Sequence, residues 1–326
     1  MGFMRCNLLL GTMLCFSLMG HAQSKTTLSA EVFGYQRDMV YFDCVQSPFI
    51  AAEFHTNPGE EHHYSFKTSQ LQCMLINGQT NVLLMPGDSV HVVVKYDEKR
   101  VSSVAFSGTE KAVEANRLLR KIADLRRQMR YKSQLLACAV VDIKPKQRLD
   151  DSRILLTKVQ ELVKENNKKL QPTTAEYLLA ETEAAAYTSF MEYPQMYADM
   201  RKTPISDQEI GDYWKLMDGV SLRKGPGAMR CPEYISFLMR YCFYENEKQA
   251  VKQGKKYEAP QTLETMFQAL ASYYKGVQRD AVLYQLLVNF IRNGKELERV
   301  KPLLNAYKSK YNLDKTNIET LEKLLQ

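Results

Sequence analysis

Three histidines and two carboxylates crowd one short stretch of the chain, His55, Glu60, Glu61, His62 and His63. Neutral imidazoles and carboxylates are metal ligands when three or four of them converge. If Pro58-Gly59 centres a tight turn, His55 and His62 face each other across a hairpin, close enough to share an ion with a carboxylate. A polar surface hairpin accounts for the same residues, so no cofactor is assigned. Thiols offer a second chemistry. Of 7 cysteines, Cys6 and Cys15 fall in the first 22 residues, leaving Cys44, Cys73, Cys138, Cys231 and Cys242. That number is odd, and no pair has the C-x-x-C spacing of a dithiol redox site. Cys44 and Cys73 both lie in predicted strands, where they could bridge; small buried hydrophobes are the plainer account of most of these cysteines.

Charge gives a third candidate. Between Arg117 and Lys132 stand Arg117, Arg120, Lys121, Arg126, Arg127, Arg130 and Lys132 against Asp124 alone, in a chain whose net charge is +7. Leu118, Leu119, Ile122, Leu125 and Met129 form the apolar stripe of the same helix, which puts the basic residues on its outer face. Such a face suits an acidic protein, an anionic glycan or a headgroup layer. A solvated helix face explains it equally simply. No nucleic-acid motif is present. There is also no G-x-S-x-G elbow, H-E-x-x-H helix, Walker loop or dinucleotide fingerprint, so no catalytic residue is assigned. The carboxylates Asp150-Asp151, Glu245 and Glu247 read as caps and solvated faces.

The elements that would position these groups follow from periodicity. Residues 1–22 carry one charge, Arg5, then an apolar core from Leu8 to Met19 and the small residues Gly20 and Ala22 around His21. This is the pattern of a signal peptide cleaved before Gln23. No later apolar run is long enough to span a bilayer. From 24 to 107, eight short alternating segments are separated by turn residues, among them Asn77-Gly78 and Pro86-Gly87-Asp88. The expectation is a small antiparallel β-sandwich or barrel, with hairpins at residues 34–38, at Asn77-Gly78 and at the Pro-Gly-Asp turn. Ser107-Gly-Thr-Glu110 has capping-box spacing and marks the change to helical period. From 108 to 326 the pattern is helical throughout, about eight or nine helices with a most irregular connection at 223–228 and 15 of the 19 tyrosines. The fold class expected is therefore α+β, two domains in series.

Leu83-Leu-Met-Pro-Gly-Asp-Ser-Val-His-Val-Val-Val94, Phe106-Ser-Gly-Thr-Glu110 and Asn116-Arg-Leu-Leu119 resemble the N-terminal part of exported thioredoxin-like proteins of Bacteroidetes. In that family a small β domain of unknown function precedes a helical region and a thioredoxin domain of the thiol-disulfide interchange type. The chain stops at Gln326 without that domain or a C-x-x-C pair, so the resemblance implies the architecture and an extracytoplasmic setting but not the redox activity. The functional expectation is a non-enzymatic exported, periplasmic or outer-membrane-associated protein that binds an envelope protein or small ligand. Two alternatives stand beside it. One is a thiol-dependent accessory of a thiol-disulfide interchange system; the other is an enzyme with an unrecognised site where the β and helical parts meet.

Overall fold

The computed structural model describes residues 23–57, 59–129, 143–294 and 296–326. Residues 1–22, Pro58, Arg130, Lys132 and Cys138 lie outside the described residues. Eight strands come first: β1 (Ser24–Phe33), β2 (Met39–Cys44), β3 (Ala51–His55), β4 (Glu61–Thr68), β5 (Gln72–Ile76), β6 (Thr80–Leu84), β7 (Ser89–Asp97) and β8 (Arg100–Gly108). Eight α-helices follow among the described residues: α1 (Glu110–Gln128), α2 (Pro145–Glu165), α3 (Pro172–Arg201), α4 (Pro232–Lys252), α5 (Leu263–Tyr273), α6 (Gly276–Arg292), α7 (Leu297–Lys310) and α8 (Lys315–Leu324). The protein is α+β, as its periodicity predicts. No helix among the described residues is long and apolar enough to cross a membrane.

The strands form two four-stranded sheets, ordered β4-β1-β7-β8 and β3-β2-β5-β6. Their inward residues meet in one core, with Leu28, Val32, Val92 and Phe106 from the first sheet against Phe42, Met74, Ile76 and Leu84 from the second. This is a sandwich, with one departure from the expected antiparallel pattern: β1 and β7 pair in parallel. Three connections explain the departure. Residues 34–38, 56–60 and 85–88 join strands of different sheets, so none of them closes a hairpin. Asn77-Gly78 does close one, with φ of 52° and 66° at its two residues. Pro86-Gly87 instead turns a corner, where Asp88 Oδ2 accepts from the Met85 amide at 2.7 Å and the Gly87 amide donates to Thr26 Oγ1 at 3.0 Å. Turn chemistry fixes the local bend and leaves the destination of the next strand to core packing.

The step into α1 differs from the predicted capping box. Ser107 is still in β8, and Thr109 is the N-cap without a side-chain cap bond. Its hydroxyl accepts from the Ser89 amide at 3.0 Å, and its own amide donates to Ser89 O at 2.8 Å. Gly108 has φ +118°, and a Cβ there would come 2.1 Å from Ser89 O. The chain can only leave the sheet here as glycine.

α1 lies along β6, the edge strand of the second sheet. Buried Asn116 clasps that edge: its Oδ1 accepts from the Leu83 amide at 2.7 Å and its Nδ2 donates to Leu83 O at 2.9 Å. Leu71, Cys73 and Leu83 on the outward face of this sheet join the core of the helical region, which continues through Leu118, Leu155, Tyr177, Leu238 and Leu287. Helix α3 runs through the middle of that core, buried on nearly every face. Three of its carboxylates receive arginines from elsewhere: Glu181 from Arg126 at 3.2 Å, Glu183 from Arg223 in a bidentate pair at 2.7 Å, and Glu192 from Arg240 at 2.7 Å.

Replacing Asn116 by Ala leaves a buried amide and carbonyl of β6 unpaired, at about 1–3 kcal/mol each. Urea unfolding of N116A should show a loss of about 2–5 kcal/mol, and a loss within experimental error would mean that α1 does not need the clasp. G108A adds a backbone collision to an unfavourable φ, and its loss should be about 2 kcal/mol or more by the same assay.

Candidate functional site

The histidines do not assemble. His55 sits in β3 opposite Met39, while His62 and His63 sit in β4 opposite Ala30 and Ser29, in the other sheet. His62 is buried and stacks on Phe54 at 5.0 Å between ring centres, whereas His55 and His63 are exposed. The expected hairpin pairing of His55 and His62 is thus undone by the corner at residues 56–60. Among the described residues no three metal-ligating side chains gather. A different histidine carries the polar network of the open face. His91 Nδ1 lies 3.0 Å from Ser29 Oγ and 3.2 Å from Glu61 Oε1, with Glu31 Oε1 3.2 Å from Nε2. The Ser29 hydroxyl, and after it His91, hold the Glu61 carboxyl below its ordinary range. The two carboxylates flank opposite nitrogens of one ring, an arrangement that leaves no common point for an ion.

Cys44 and Cys73 do not bridge. Cys44 pairs with Met74 in register, so the neighbouring Cys73 points from the opposite face of the sheet, and both thiols are free. Cys44 faces the sandwich and Cys73 the helical core. Cys231 and Cys242 are buried free thiols as well. Burial pushes all four upward in pKa, Cys242 to about 12. The thiolate is the reactive form, so none of these four is set up for attack.

The basic face of α1 is narrower than its composition suggests. Arg117, Lys121 and Arg127 are exposed, but Arg117 lies 3.9 Å from Glu114 and Arg127 3.2 Å from Asp124. Arg120 is half-buried, 3.7 Å from Asp124. Arg126 departs from the expected outer face altogether, because buried Glu181 draws it inward. Arg130 and Lys132 lie outside the described residues.

The arrangement with the most unspent binding capacity stands where sandwich and helices meet. There a cavity of about 160 Å³ opens between the end of the sandwich and the helical region, lined by Gln46, Gln70, Gln72, Arg230, Tyr284 and Thr320 among others. Arg230 ends the 3-10 turn Ala228–Arg230, which follows the irregular connection seen in the sequence. That connection is held at both ends. Arg223 is clamped by Glu183, and its amide donates to the Tyr234 hydroxyl at 2.7 Å. Gly227 packs so close to α3 that a Cβ would lie 2.1 Å from Thr173 O. The turn therefore presents Arg230 to the sandwich in one position.

Arg230 Nε donates to Leu71 O at 3.2 Å and Nη2 to Gln72 Oε1 at 3.0 Å, and Gln46 Nε2 donates to Arg230 O at 2.8 Å. The Cys44 thiol donates to the same Gln72 oxygen at 3.2 Å. Two of five guanidinium donors thus have protein acceptors, and among the described residues no carboxylate lies within ion-pair distance. Desolvation lowers the Arg230 pKa, and Cys44 and more distant acids, Asp314 among them, pull against that. Arginine stays charged even so. Sequence reasoning did not select Arg230. The two glycines and the proline just before it were the available signal, since such a stretch marks backbone bent for a purpose.

A larger cleft of about 460 Å³ lies between α3 and the 216–223 segment. Its charged groups are already matched, Glu183 to Arg223 and Asp218 to Lys248 at 2.6 Å. It lacks the unpaired charge of the junction. No protein-family model matches the chain, no curated protein matches it, and no solved structure matches it.

The thiols provide a direct check. At pH 8 a thiol of pKa near 12 is ionised to about one part in ten thousand, against about a quarter for a free cysteine. Mass spectrometry after brief iodoacetamide treatment of the native protein should find Cys44, Cys73, Cys231 and Cys242 unmodified, and all four labelled in urea. Rapid native labelling of any of them would return thiol chemistry to that position.

Proposed function

We propose that the mature protein is an exported, non-enzymatic binding protein whose ligand occupies the cavity at the sandwich–helix junction. One observation carries the reading: at that junction a half-buried guanidinium has two neutral acceptors and, among the described residues, no carboxylate within ion-pair distance. A charge so placed keeps donors free for an anion that enters the cavity. The leader-like residues 1–22 support export, and the resemblance to the N-terminal part of exported thioredoxin-like proteins points the same way.

Binding is favoured over turnover by the state of the groups around the cavity. Burial keeps the Cys44 thiol protonated and the Tyr284 hydroxyl neutral. Neither serves as nucleophile or base at neutral pH, and Lys67 and Glu319 stand exposed at the rim. The buried thiols weigh in the same way against a mixed-disulfide accessory.

The test is retention. The protein recovered from its own cell envelope, examined by native mass spectrometry, should carry a small molecule that is chemically unchanged on release. Thr320→Trp, which fills the cavity from α8, should reduce retention at least about tenfold, the consequence of 1.4 kcal/mol of lost binding. Equal retention by the variant would place the ligand elsewhere, and release of a converted molecule would make the protein an enzyme.

A further inference from the structure

Resting on that reading of the junction, we infer that the ligand is a small carboxylate, held head-on by Arg230. Size sets the first limit. At about 160 Å³ the cavity suits a short acid or the end of a chain better than a nucleotide or a sugar chain.

Charge sets the second limit. Arg230 brings a full positive charge, and the acids near it are already occupied or remote. Asp314 caps α8, accepting from the Thr316 amide at 3.0 Å and the Thr316 hydroxyl at 2.7 Å, and its other oxygen takes Gln70 Nε2 at 2.5 Å. Glu319 is exposed at the rim, where water screens it, and Lys67 on the opposite rim is basic.

Geometry selects among anions. A guanidinium presents its donors in a plane, matching the two coplanar oxygens of a carboxylate. With Nε and one Nη2 donor turned to Leu71 and Gln72, the guanidinium keeps three N–H groups that no described residue accepts. Apart from Lys67 and Glu319 at the exposed rim, the rest of the lining is neutral: Gln46, Ser47, Gln70, Asn317 and Thr320 can bind a polar head or line a short tail, and none of these five adds a positive charge beside Arg230 for a phosphate or sulfate dianion. A free short acid and the C-terminus of a peptide offer the same head group.

The experiment is thermal unfolding of the full mature chain at constant ionic strength with acetate, propionate, glycylglycine, acetamide, methylammonium and inorganic phosphate. Acetate or propionate should raise Tm saturably if the source is a free acid, glycylglycine if it is a chain end. Acetamide, the uncharged isostere, should not. Arg230→Gln should weaken the apparent affinity about tenfold or more, and Arg230→Lys should retain part of it. Because Arg230 also holds Leu71 and Gln72, Thr320→Val serves as a second variant that replaces a lining hydroxyl by a methyl without touching the guanidinium, and it should weaken affinity with far-UV circular dichroism unchanged. Equal stabilisation by acetamide, a stronger response to phosphate, or an undiminished response in Arg230→Gln would overturn the carboxylate. If no probe acts while Thr320→Trp still abolishes retention of the native molecule, the carboxylate fails and the junction site stands.

Discussion

The structure depends on how one sheet edge is buried. β6 is the last strand of its sheet, and an edge strand exposes a row of backbone donors and acceptors that normally face water. Here α1 covers that edge, so water cannot serve. The Asn116 amide takes its place by offering one acceptor and one donor to Leu83, in the manner of a neighbouring strand. The same Nδ2 donates to Ala112 O at 2.8 Å, one turn back along the helix. Without a group of this kind α1 would have to stand off from the sheet. With it, Leu71, Cys73 and Leu83 become part of the helical core, and the two halves of the protein share one apolar interior.

Everything further along follows from that docking. α1 fixes Arg126 against Glu181 on α3, and the next inward carboxylate of α3, Glu183, fixes Arg223. Burial raises the Glu181 pKa while Arg126 draws it down, so the pair is a geometric constraint more than a source of stability. What the constraint achieves is placement. Arg223 begins the bent segment that passes Gly227 close over the first turn of α3 and delivers Arg230 to the open end of the sandwich. A chain of contacts thus runs from a sheet edge to the candidate site, each link holding the next.

How much of this was legible depends on the range over which each decision is made. Strand positions were legible, because alternation in Val90, Val92 and Val94 is local. Strand partners were not: the same Pro-Gly-Asp chemistry that can close a hairpin turns a corner here, since Val82 and Val90 serve opposite sheets of one core. That single topological fact separated His55 from His62. Period two likewise decides Cys44 and Cys73: once Cys44 is registered with Met74, adjacency puts Cys73 on the other face. Arg126 turned inward because Glu181, more than fifty residues later, is buried where only a cation can join it. Gln46, Gln72, Arg230, Tyr284 and Thr320 are far apart in sequence and of ordinary type, so no spacing announces their convergence.

The remaining question is why a protein keeps an arginine at this junction at all. For rigidity alone, a methionine or leucine of similar volume would fill the end of the sandwich with no desolvation penalty, and replacement of buried ionic groups by well-packed apolar ones is often neutral or stabilising. Arg126, Arg223 and Arg240 have a structural answer, since each neutralises a carboxylate on α3. Arg230 has no such answer among the described residues; its acceptors, a backbone carbonyl and a glutamine, are satisfied by any neutral donor. The three arginines paired to α3 and the one at the junction share a residue type and differ in whether the counter-charge belongs to the chain. Where it does, the arginine closes the structure. Where it does not, the charge stays available, in a cavity bounded by both halves of the fold, to whatever anion enters, and its occupant would join sandwich and helices through a contact that neither half makes alone.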